Sequence, residues 1–396
     1  MPDGAGGIPS AGRDAGRSRG IPSAGLGILH VMARTLLTGA TGFIGAHLAR
    51  ALSRRGDDVR VTVRDGSDIR PIEDLDLELV SCDVLERKAV RSALKGVDRV
   101  FHAAGMTSMR PDDGERMFDV NVGGARVVLE ECLRAEVERV VFTSSAAALG
   151  PARHGSTADE SQLFTAAHLG IPYVTSVHEA EGQAMRLAAA GLPLVCVNPT
   201  VALGPGDLHV TSTRLVRSFM LGRVPAYADG AVNVVDVRDV AAGALLADAH
   251  GRVGERYILG GRNFTFDRLF ADLGRLTGIT PPVKVPRALA AAAAGVLGFG
   301  PGRTVLSAQE VAAASRYWTY RSAKAQRELG WSARPHEDTL EATVAWYMDR
   351  EGDRITRSRR SQQLQYRAAG ALIAAGEGTL GAGRRMLNGA RPGQLG

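Results

Sequence analysis

A short apolar strand that runs straight into three spaced glycines constrains this chain more than any other feature. Arg34-Thr35-Leu36-Leu37 leads into Thr38-Gly39-Ala40-Thr41-Gly42-Phe43-Ile44-Gly45, and a helical pattern through Ala46, Leu48, Ala49 and Leu52 stops near Arg55-Gly56. Strand, glycine turn and helix in that order open a βαβ unit of the dinucleotide-binding type. Gly39 allows the tight turn, Gly42 lets the backbone approach a pyrophosphate, and Gly45 lets the helix pack close on the strand. The helix N-terminus then offers free N–H groups and the positive end of its dipole to the phosphates. The expected cofactor contacts of this turn are Gly39, Thr41, Gly42, Phe43, Ile44 and Gly45. A glycine-rich connection in some other α/β protein is the alternative, and the rest of the chain has to exclude it.

Regular alternation of strand and helix carries that reading through the first half. Strands are predicted at Val59 to Val63, Leu77 to Ser81, Val97 to Phe101, Arg139 to Thr143 and Leu194 to Val197. Helices are predicted at Glu86 to Leu94, at Glu115 to Ala135 as one long element, and from Tyr173 through His178, Glu181 and Met185. Such alternation requires right-handed crossovers and a parallel sheet covered by helices on both faces. The expected fold class is therefore α/β, a Rossmann-type doubly wound parallel sheet with a smaller, interleaved C-terminal substrate lobe. Residues 33–200 form the dinucleotide-binding domain, with 233–262 returning to it. Residues 201–232 and 263–349 form the substrate-binding lobe, with helices expected at Thr211 to Leu221, Arg238 to Ala249, Thr265 to Leu276, Ser307 to Ser315, Ala323 to Leu329 and Pro335 to Asp349.

Composition narrows the class of function. The 396 residues carry 48 Lys and Arg against 42 Asp and Glu, but the arginines gather in the two tails, so no nucleic-acid partner is expected. Residues 1–32 are rich in Gly, Ala, Ser, Pro and Arg and repeat Gly-Ile-Pro-Ser-Ala-Gly at Gly7 and Gly20. Such a segment cannot bury enough surface to fold, and it lacks a signal-peptide core, so it reads as a disordered extension. Residues 350–396 read as a basic, mobile tail. Ala288 to Phe299 is alanine-rich and too short to span a bilayer, so a packed helix and no membrane span are expected. Cys82, Cys132 and Cys196 have neither metal-ligand spacing nor a paired framework, which fits a reduced cytoplasmic protein without a metal.

Ligands on a doubly wound sheet bind beyond the carboxyl ends of the strands, so the polar residues there are the ones to read. Arg64 stands where a carboxylate would bind the ribose 2′-hydroxyl of NAD. An arginine there can pair with the 2′-phosphate of NADP, which makes NADP the preferred cofactor; a solvated surface arginine is the alternative, and Asp65 keeps NAD open. Asp83 can accept from an adenine amino group or cap a helix. His102-Ala103-Ala104-Gly105 would let a cofactor lie against the backbone, with His102 open to a buried structural role. Asn121 sits inside the predicted long helix, where asparagine is mildly unfavourable, and serves either beneath an active site or as a tolerated surface residue. Thr143-Ser144-Ser145 ends a strand and Tyr173 opens a helix. A hydroxyl facing a tyrosine is a carbonyl-binding pair in which the phenol moves the proton while hydride passes to or from nicotinamide.

Together these residues resemble the extended short-chain dehydrogenase/reductase family, also called the NAD-dependent epimerase/dehydratase family. The likeness covers about residues 33–349 and is carried by Thr38 to Gly45, Asp83-Val84, Phe101 to Ala104, Asn121-Val122, Phe142 to Ser145, Tyr173, Asn198-Pro199-Thr200, Asp236 to Ala241 and Ser322 to Gly330. Val63 to Gly66, Val224 to Tyr227 and Glu255 to Gly261 resemble its dihydroflavonol-reductase-like and hopanoid-associated sugar-epimerase branch. The resemblance implies a Ser/Tyr/Lys catalytic set with Ser145 and Tyr173, and a nicotinamide cofactor touching Val84, Ala103, Ala104, Asn121, Tyr173, Asn198 and Thr200 besides the glycine turn. It also implies a small-molecule substrate held by the C-terminal lobe, and a homodimer through the long helices.

One position departs from the family pattern. Where Tyr-x-x-x-Lys is expected, Tyr173 is followed four residues on by Val177. A lysine there would share the tyrosine's helix face, stabilise its phenolate and hold the nicotinamide ribose. An unassisted phenol with a pKa near 10 is only ~0.1% ionised at neutral pH, so it is a poor base but still a proton donor. The expected activity is an NAD(P)-dependent reductase or dehydrogenase of a small carbonyl or alcohol, weakened or specialised by Val177. A sugar-nucleotide epimerase or dehydratase with bound NAD, and a non-catalytic NADP-binding protein, are the alternatives. His178 is the nearest basic residue, but it points roughly 100° away around the helix.

Overall fold

The computed structural model describes residues 33–224, 226–286 and 313–358. Seven strands make the larger sheet: β1 (Arg34–Thr38), β2 (Asp58–Val63), β3 (Glu78–Ser81), β4 (Arg99–His102), β5 (Arg139–Thr143), β6 (Leu194–Pro199) and β10 (Arg256–Leu259). Their order is β10-β6-β5-β4-β1-β2-β3, and every pairing is parallel. The chain therefore winds outward from β1 in both directions, and the switch falls between β1 and β4. In a sheet of this kind the crevice for a ligand opens at that point, outside the carboxyl ends of the strands.

Period-two alternation explains how one set of strands supports two cores. Leu37, Phe101, Val141, Val195 and Val197 face one side, where they meet Leu48 and Leu52 of α1 (Phe43–Arg55) and Val240 and Ala244 of α7 (Val237–His250). Their chain neighbours Leu36, Val100, Val140, Leu194 and Cys196 face the other side. There they meet Val90 of α2 (Arg87–Ala93), Val128 and Cys132 of α4 (Ala125–Arg134) and Ala180 and Ala184 of α5 (Pro172–Ala189). Burial on both faces is why these strands read as continuous apolar runs. Each fully buried leucine among them contributes roughly 2 kcal/mol of transfer free energy.

The helix expected over Glu115 to Ala135 forms in three pieces. After α3 (Gly114–Phe118) the hydrogen bonds widen to a π-helical stretch, Asp119–Gly124, before α4 resumes. The extra residue this inserts turns the Asn121 side chain inward. Gly124 closes the same stretch against Val84, whose Cγ2 would lie 2.9 Å from a Cβ added there. A uniform 3.6-residue periodicity cannot reveal such an insertion.

After β6 the chain leaves the large sheet through β7 (Val201–Leu203), α6 (Arg214–Met220) and β8 (Ala226–Tyr227). A second sheet follows, with β9 (Ala231–Asp236) between β11 (Arg262–Thr265) and β13 (Tyr317–Trp318), and with β7 also paired to β9. Segment 233–262, expected to return as a whole to the large sheet, is divided instead. β10 joins that sheet and α7 packs on it, whereas β9 and β11 build the small one. Pairing explains the division: β9 is buried along its whole length and takes β7 on one side and β11 and β13 elsewhere, so its backbone groups are already satisfied. α8 (Phe266–Thr277) starts on the Thr265 hydroxyl, which accepts from Arg268 N, and stops at Gly278 with φ +67°. It packs Leu269, Phe270 and Leu273 with Phe219, Phe264 and Tyr347 into a third core. β12 (Val283–Lys284) pairs with β8, α9 (Ala323–Leu329) lies on the first core, and a last helix, α10, runs over 336–358. Residues 1–32, the alanine-rich run and most of the helix expected at Ser307 to Ser315, and the tail from 359 lie outside the described residues.

Candidate active site

The glycine turn is built by contacts that exclude side chains. Gly39 has φ +76°, and a Cβ there would stand 2.6 Å from backbone atoms of Ala103 and Ala104. A Cβ on Gly45 would stand 2.0 Å from the Gly39 carbonyl oxygen, so this glycine is what allows α1 to approach β1. Gly42 differs. Its N–H donates to the Gly39 carbonyl at 3.0 Å, and a Cβ would meet only that oxygen, at 3.3 Å, with open space beyond. A side chain at Gly42 would thus fill the space before the first turn of α1, where a pyrophosphate would lie. Thr41 and Ile44 border that space half-buried, while Phe43 is buried and supports it from beneath. The cradle fits a dinucleotide.

At the adenosine end, Arg64 and Asp65 follow β2 and are both exposed. Asp65 Oδ1 accepts from the Ser81 hydroxyl at 2.6 Å, which ties that carboxylate to β3. Asp83 Oδ1 accepts from Leu85 N at 2.9 Å and its carbonyl from Glu86 N, a turn that leads into α2 and leaves the second carboxylate oxygen facing out; Val84 beside it is buried. Ala103 and Ala104 line the crevice with backbone. Their N–H groups donate to the Thr38 carbonyl at 3.1 Å and the Thr38 hydroxyl at 3.2 Å.

His102 sits where its imidazole cannot reach a ligand. It is 1% exposed, its Nδ1 lies 2.8 Å from the Thr38 hydroxyl, and its ring stacks on Phe142. Burial pushes its pKa down to about 4. Of the contacts expected from this residue, only its backbone lies at the strand end. Asn198 likewise is fully buried, its Nδ2 donating to the Ser145 carbonyl at 3.1 Å and to Glu181 Oε2 at 2.5 Å. Thr200 donates from its hydroxyl to Asn233 Oδ1 at 2.8 Å, toward the small sheet.

Ser145 and Tyr173, distant in the chain, meet at the carboxyl ends of β5 and β6. Ser145 caps a short 3-10 turn, its Oγ accepting from Ala147 N at 3.2 Å. Pro172, with its φ pre-set for a first helical turn, opens α5 and places Tyr173 one residue in. The phenol lies within hydrogen-bonding reach of Ser145 and of Thr107. Burial raises the Tyr173 pKa above its ordinary value, and the two hydroxyl contacts offset that only in part. Val177 stands one turn further on, half-buried, so an aliphatic side chain occupies the place of a cation. His178 offers no substitute: its Nδ1 lies 2.9 Å from the Ala148 carbonyl and its ring stacks on Phe164 at 3.7 Å.

Two features of the site escaped the sequence reading. Glu181, two turns beyond Tyr173 on α5 and 2% exposed, accepts from the Ser144 hydroxyl at 2.5 Å and from Asn198, and pairs with Arg256 at 3.0 Å. It ties β5, β6 and β10 together directly behind Ser145. A glutamate among the buried positions of a helix was the available signal. Thr107 is the other: it lies in an irregular loop, where no periodicity marks a direction. Asn121, by contrast, takes the inward polar role. Its Oδ1 accepts from Met106 N at 2.7 Å, and its Nδ2 donates to Met106 O and to the Ser176 hydroxyl, each at 3.0 Å.

Around the phenol the walls are apolar. Tyr173 packs with Met109, Phe164 and Trp318 on a cluster of Ala166, Ile171 and Val174. His209, expected near the pocket, lies over the cradle with Nε2 3.3 Å from the Thr41 carbonyl, while Thr211 is bound to Asp207. Among the described residues no group of three metal-ligating side chains comes together, and no helix is long and apolar enough to cross a membrane.

Comparison with known proteins agrees with this geometry. Sterol demethylase protein B of Methylococcus capsulatus is 38% identical over 249 residues, covering 63% of this chain and 76% of that protein. Cinnamoyl-CoA reductase 2 of Arabidopsis thaliana is 35% identical over 239 residues, covering 56% and 71% respectively. The crystal structure of gox2253 matches with a TM-score of 0.71 at 35% identity, covering 80% of this chain and 98% of that one. The family described as NAD dependent epimerase/dehydratase matches residues 35–260, which run from β1 through the glycine turn and the Ser145–Tyr173 pair to the end of β10. A nicotinamide-dinucleotide cradle and a serine–tyrosine pair on one doubly wound sheet are thus inherited together: the chain belongs to the NAD dependent epimerase/dehydratase family of extended short-chain dehydrogenase/reductases.

Proposed function

We propose that this protein is an NADP-dependent reductase of a small, predominantly apolar carbonyl compound. The observation that carries the reading is the state of Tyr173: a phenol beside Ser145, raised in pKa by burial, with Val177 where a cation would favour its anion. At neutral pH such a phenol is protonated in all but less than ~0.1% of molecules, so it serves as an acid and not as a base. Ser145 and Tyr173 donate hydrogen bonds to the carbonyl oxygen, and Tyr173 passes its proton there as negative charge builds. NADPH, when bound, supplies the hydride. Asn198 and Glu181 hold the Ser145 segment from behind, so the two hydroxyls keep their spacing.

The apolar wall of Met109, Phe164 and Trp318 favours an apolar carbonyl over a sugar nucleotide. The names of two relatives, one a sterol-modifying protein and one a cinnamoyl-CoA reductase, point the same way. Arg64, exposed at the end of β2 with Asp65 already engaged by Ser81, supports NADP over NAD. Buried, unpaired Cys132 and Cys196 fit a reducing cytoplasmic setting, and a homodimer through the long helices completes the reading.

Titrating NADPH against NADH by fluorescence, followed by a screen of apolar ketones and aldehydes, tests it. Reduction that Tyr173→Phe abolishes is the expected result. Val177 itself favours a second reading, a cofactor-binding protein without turnover. That reading predicts NADPH binding with no reduction by either the parent or Val177→Lys. An epimerase would instead carry tightly held nicotinamide through purification, and it would need a base that the unassisted phenol does not provide.

A further inference from the structure

With Val177 unable to carry a proton, the phenol needs another path to solvent. A reductase takes one proton from Tyr173 in each turnover, and it must be replaced before the next. Val174, Ile171 and the wall of Met109, Phe164 and Trp318 are apolar, and the hydroxyls that reach the phenol are those of Ser145 and Thr107. Ser145 faces inward, holding Ala147 N, and shares the substrate oxygen. Thr107 is exposed.

The loop around Thr107 is fixed from both sides. Met106 is held at its N–H and its carbonyl by the single amide of Asn121, at 2.7 and 3.0 Å. Ser108 donates to Asp113 Oδ2 at 2.5 Å. The same Asn121 amide donates to the Ser176 hydroxyl, which in turn donates to the Tyr173 carbonyl at 3.0 Å. One side chain in the π-helical stretch therefore positions both the residue before Thr107 and the helical turn that carries Tyr173. Tyr320 is the other titratable group acting with Tyr173, and its hydroxyl is committed to the Gly150 carbonyl at 2.9 Å.

We propose that Thr107 is a catalytic residue that returns the proton to Tyr173 from solvent, a path that Val177 cannot supply. The inference rests on the reductase reading above. The Tyr173 O–H bond breaks as the substrate oxygen gains its proton. The Thr107 O–H bond breaks as the phenol reforms, and Thr107 takes a proton from bulk acid in the same shuttle. In sum, NADPH, the carbonyl compound and one solvent proton give NADP⁺ and the alcohol.

The test compares Thr107→Val, which keeps the shape and removes the hydroxyl, with Thr107→Ser, which keeps the hydroxyl. Steady-state reduction of a carbonyl compound found active with the parent is measured with NADPH, alongside NADPH affinity, thermal melting and the solvent deuterium isotope effect. The expected result is a fall in kcat of roughly 10- to 100-fold for Thr107→Val, the scale of one general acid–base contribution. Its NADPH affinity and melting are unchanged, small buffer acids restore part of the rate, and Thr107→Ser stays near the parent. A Thr107→Val enzyme within twofold of the parent in kcat and isotope effect overturns the relay and leaves the reductase standing. A parent that binds NADPH but reduces no carbonyl overturns the reductase reading and the relay with it.

Discussion

Installing the missing cation at Val177 asks whether the phenol is limited by its own acidity. Residues four apart on a helix face bring Cβ atoms to about 5–6 Å, so a lysine ammonium at this position can lie about 6 Å from the phenolic oxygen. At an effective dielectric of about 20, a unit charge at that distance favours the phenolate by about 3 kcal/mol, or about 2 pKa units. Val177 is half-buried, and solvent screening reduces the shift to between about 1 and 2 units. The partial exposure also lets a lysine extend its ammonium to water without disturbing the core. Alcohol oxidation depends on the phenolate, so Val177→Lys should raise its rate at pH 8 by roughly 10- to 100-fold and lower the midpoint of its pH profile by those 1–2 units. Carbonyl reduction, served by the neutral phenol, should gain far less. The assay follows NADPH absorbance in both directions from pH 6 to 11. An unmoved midpoint, or equal gains in both directions, refutes the assignment of Tyr173 as an unassisted acid.

Three further perturbations reach other parts of the structure. Arg64→Ser should weaken NADPH binding by roughly 10- to 100-fold, about 1.4–2.8 kcal/mol, and change NADH binding by less than twofold in a fluorescence titration. Glu181→Gln leaves Arg256 without its anion behind the catalytic pair; urea denaturation should show a loss of about 2–3 kcal/mol, below the range for fully buried pairs because Arg256 is part-exposed. His102, held neutral with its pKa pushed down to about 4 from 6.5, takes up its proton more readily when unfolded. Its stabilising contribution is therefore complete above pH 6.5 and lost as pH falls through 4, by up to about 3 kcal/mol. His102→Asn should flatten the acid limb of the stability profile between those limits, and an unchanged slope would contradict the burial of the imidazole.

Legibility in the sequence followed the physics of each element. The large sheet was readable because burial on both faces turns β1, β4, β5 and β6 into apolar runs, and because the glycines of the cradle are dictated by backbone contacts. Ser145 and Tyr173 were readable because a strand end and a helix start fix where side chains stand. The π-helical stretch was not, since a one-residue insertion leaves the apolar pattern on either side intact. Nor was the division of 233–262 between two sheets, because a strand's sequence records how deeply it is buried and not which neighbour it pairs with. His102 illustrates the converse. A polar residue at the right strand end has two physical solutions, to face the ligand or to be satisfied beneath it, and only the Thr38 hydroxyl 2.8 Å away decides for the second.

The separation between holding a cofactor and using it has a structural cause. The cradle depends on backbone atoms of β1, α1 and the Ala103–Ala104 turn, where a side chain would collide, so it resists change at any single position except by losing a glycine. The proton chemistry depends on three side chains from three connections, Ser145, Tyr173 and Thr107, each placed by a different partner: Asn198 behind the first, Pro172 and Ser176 at the second, Asn121 beside the third. Losing a lysine from such a set leaves the cradle intact and alters only the state of the phenol. Burial then works in one direction. It keeps Tyr173 protonated, which disfavours oxidation of an alcohol and leaves reduction of a carbonyl as the chemistry the pair can perform.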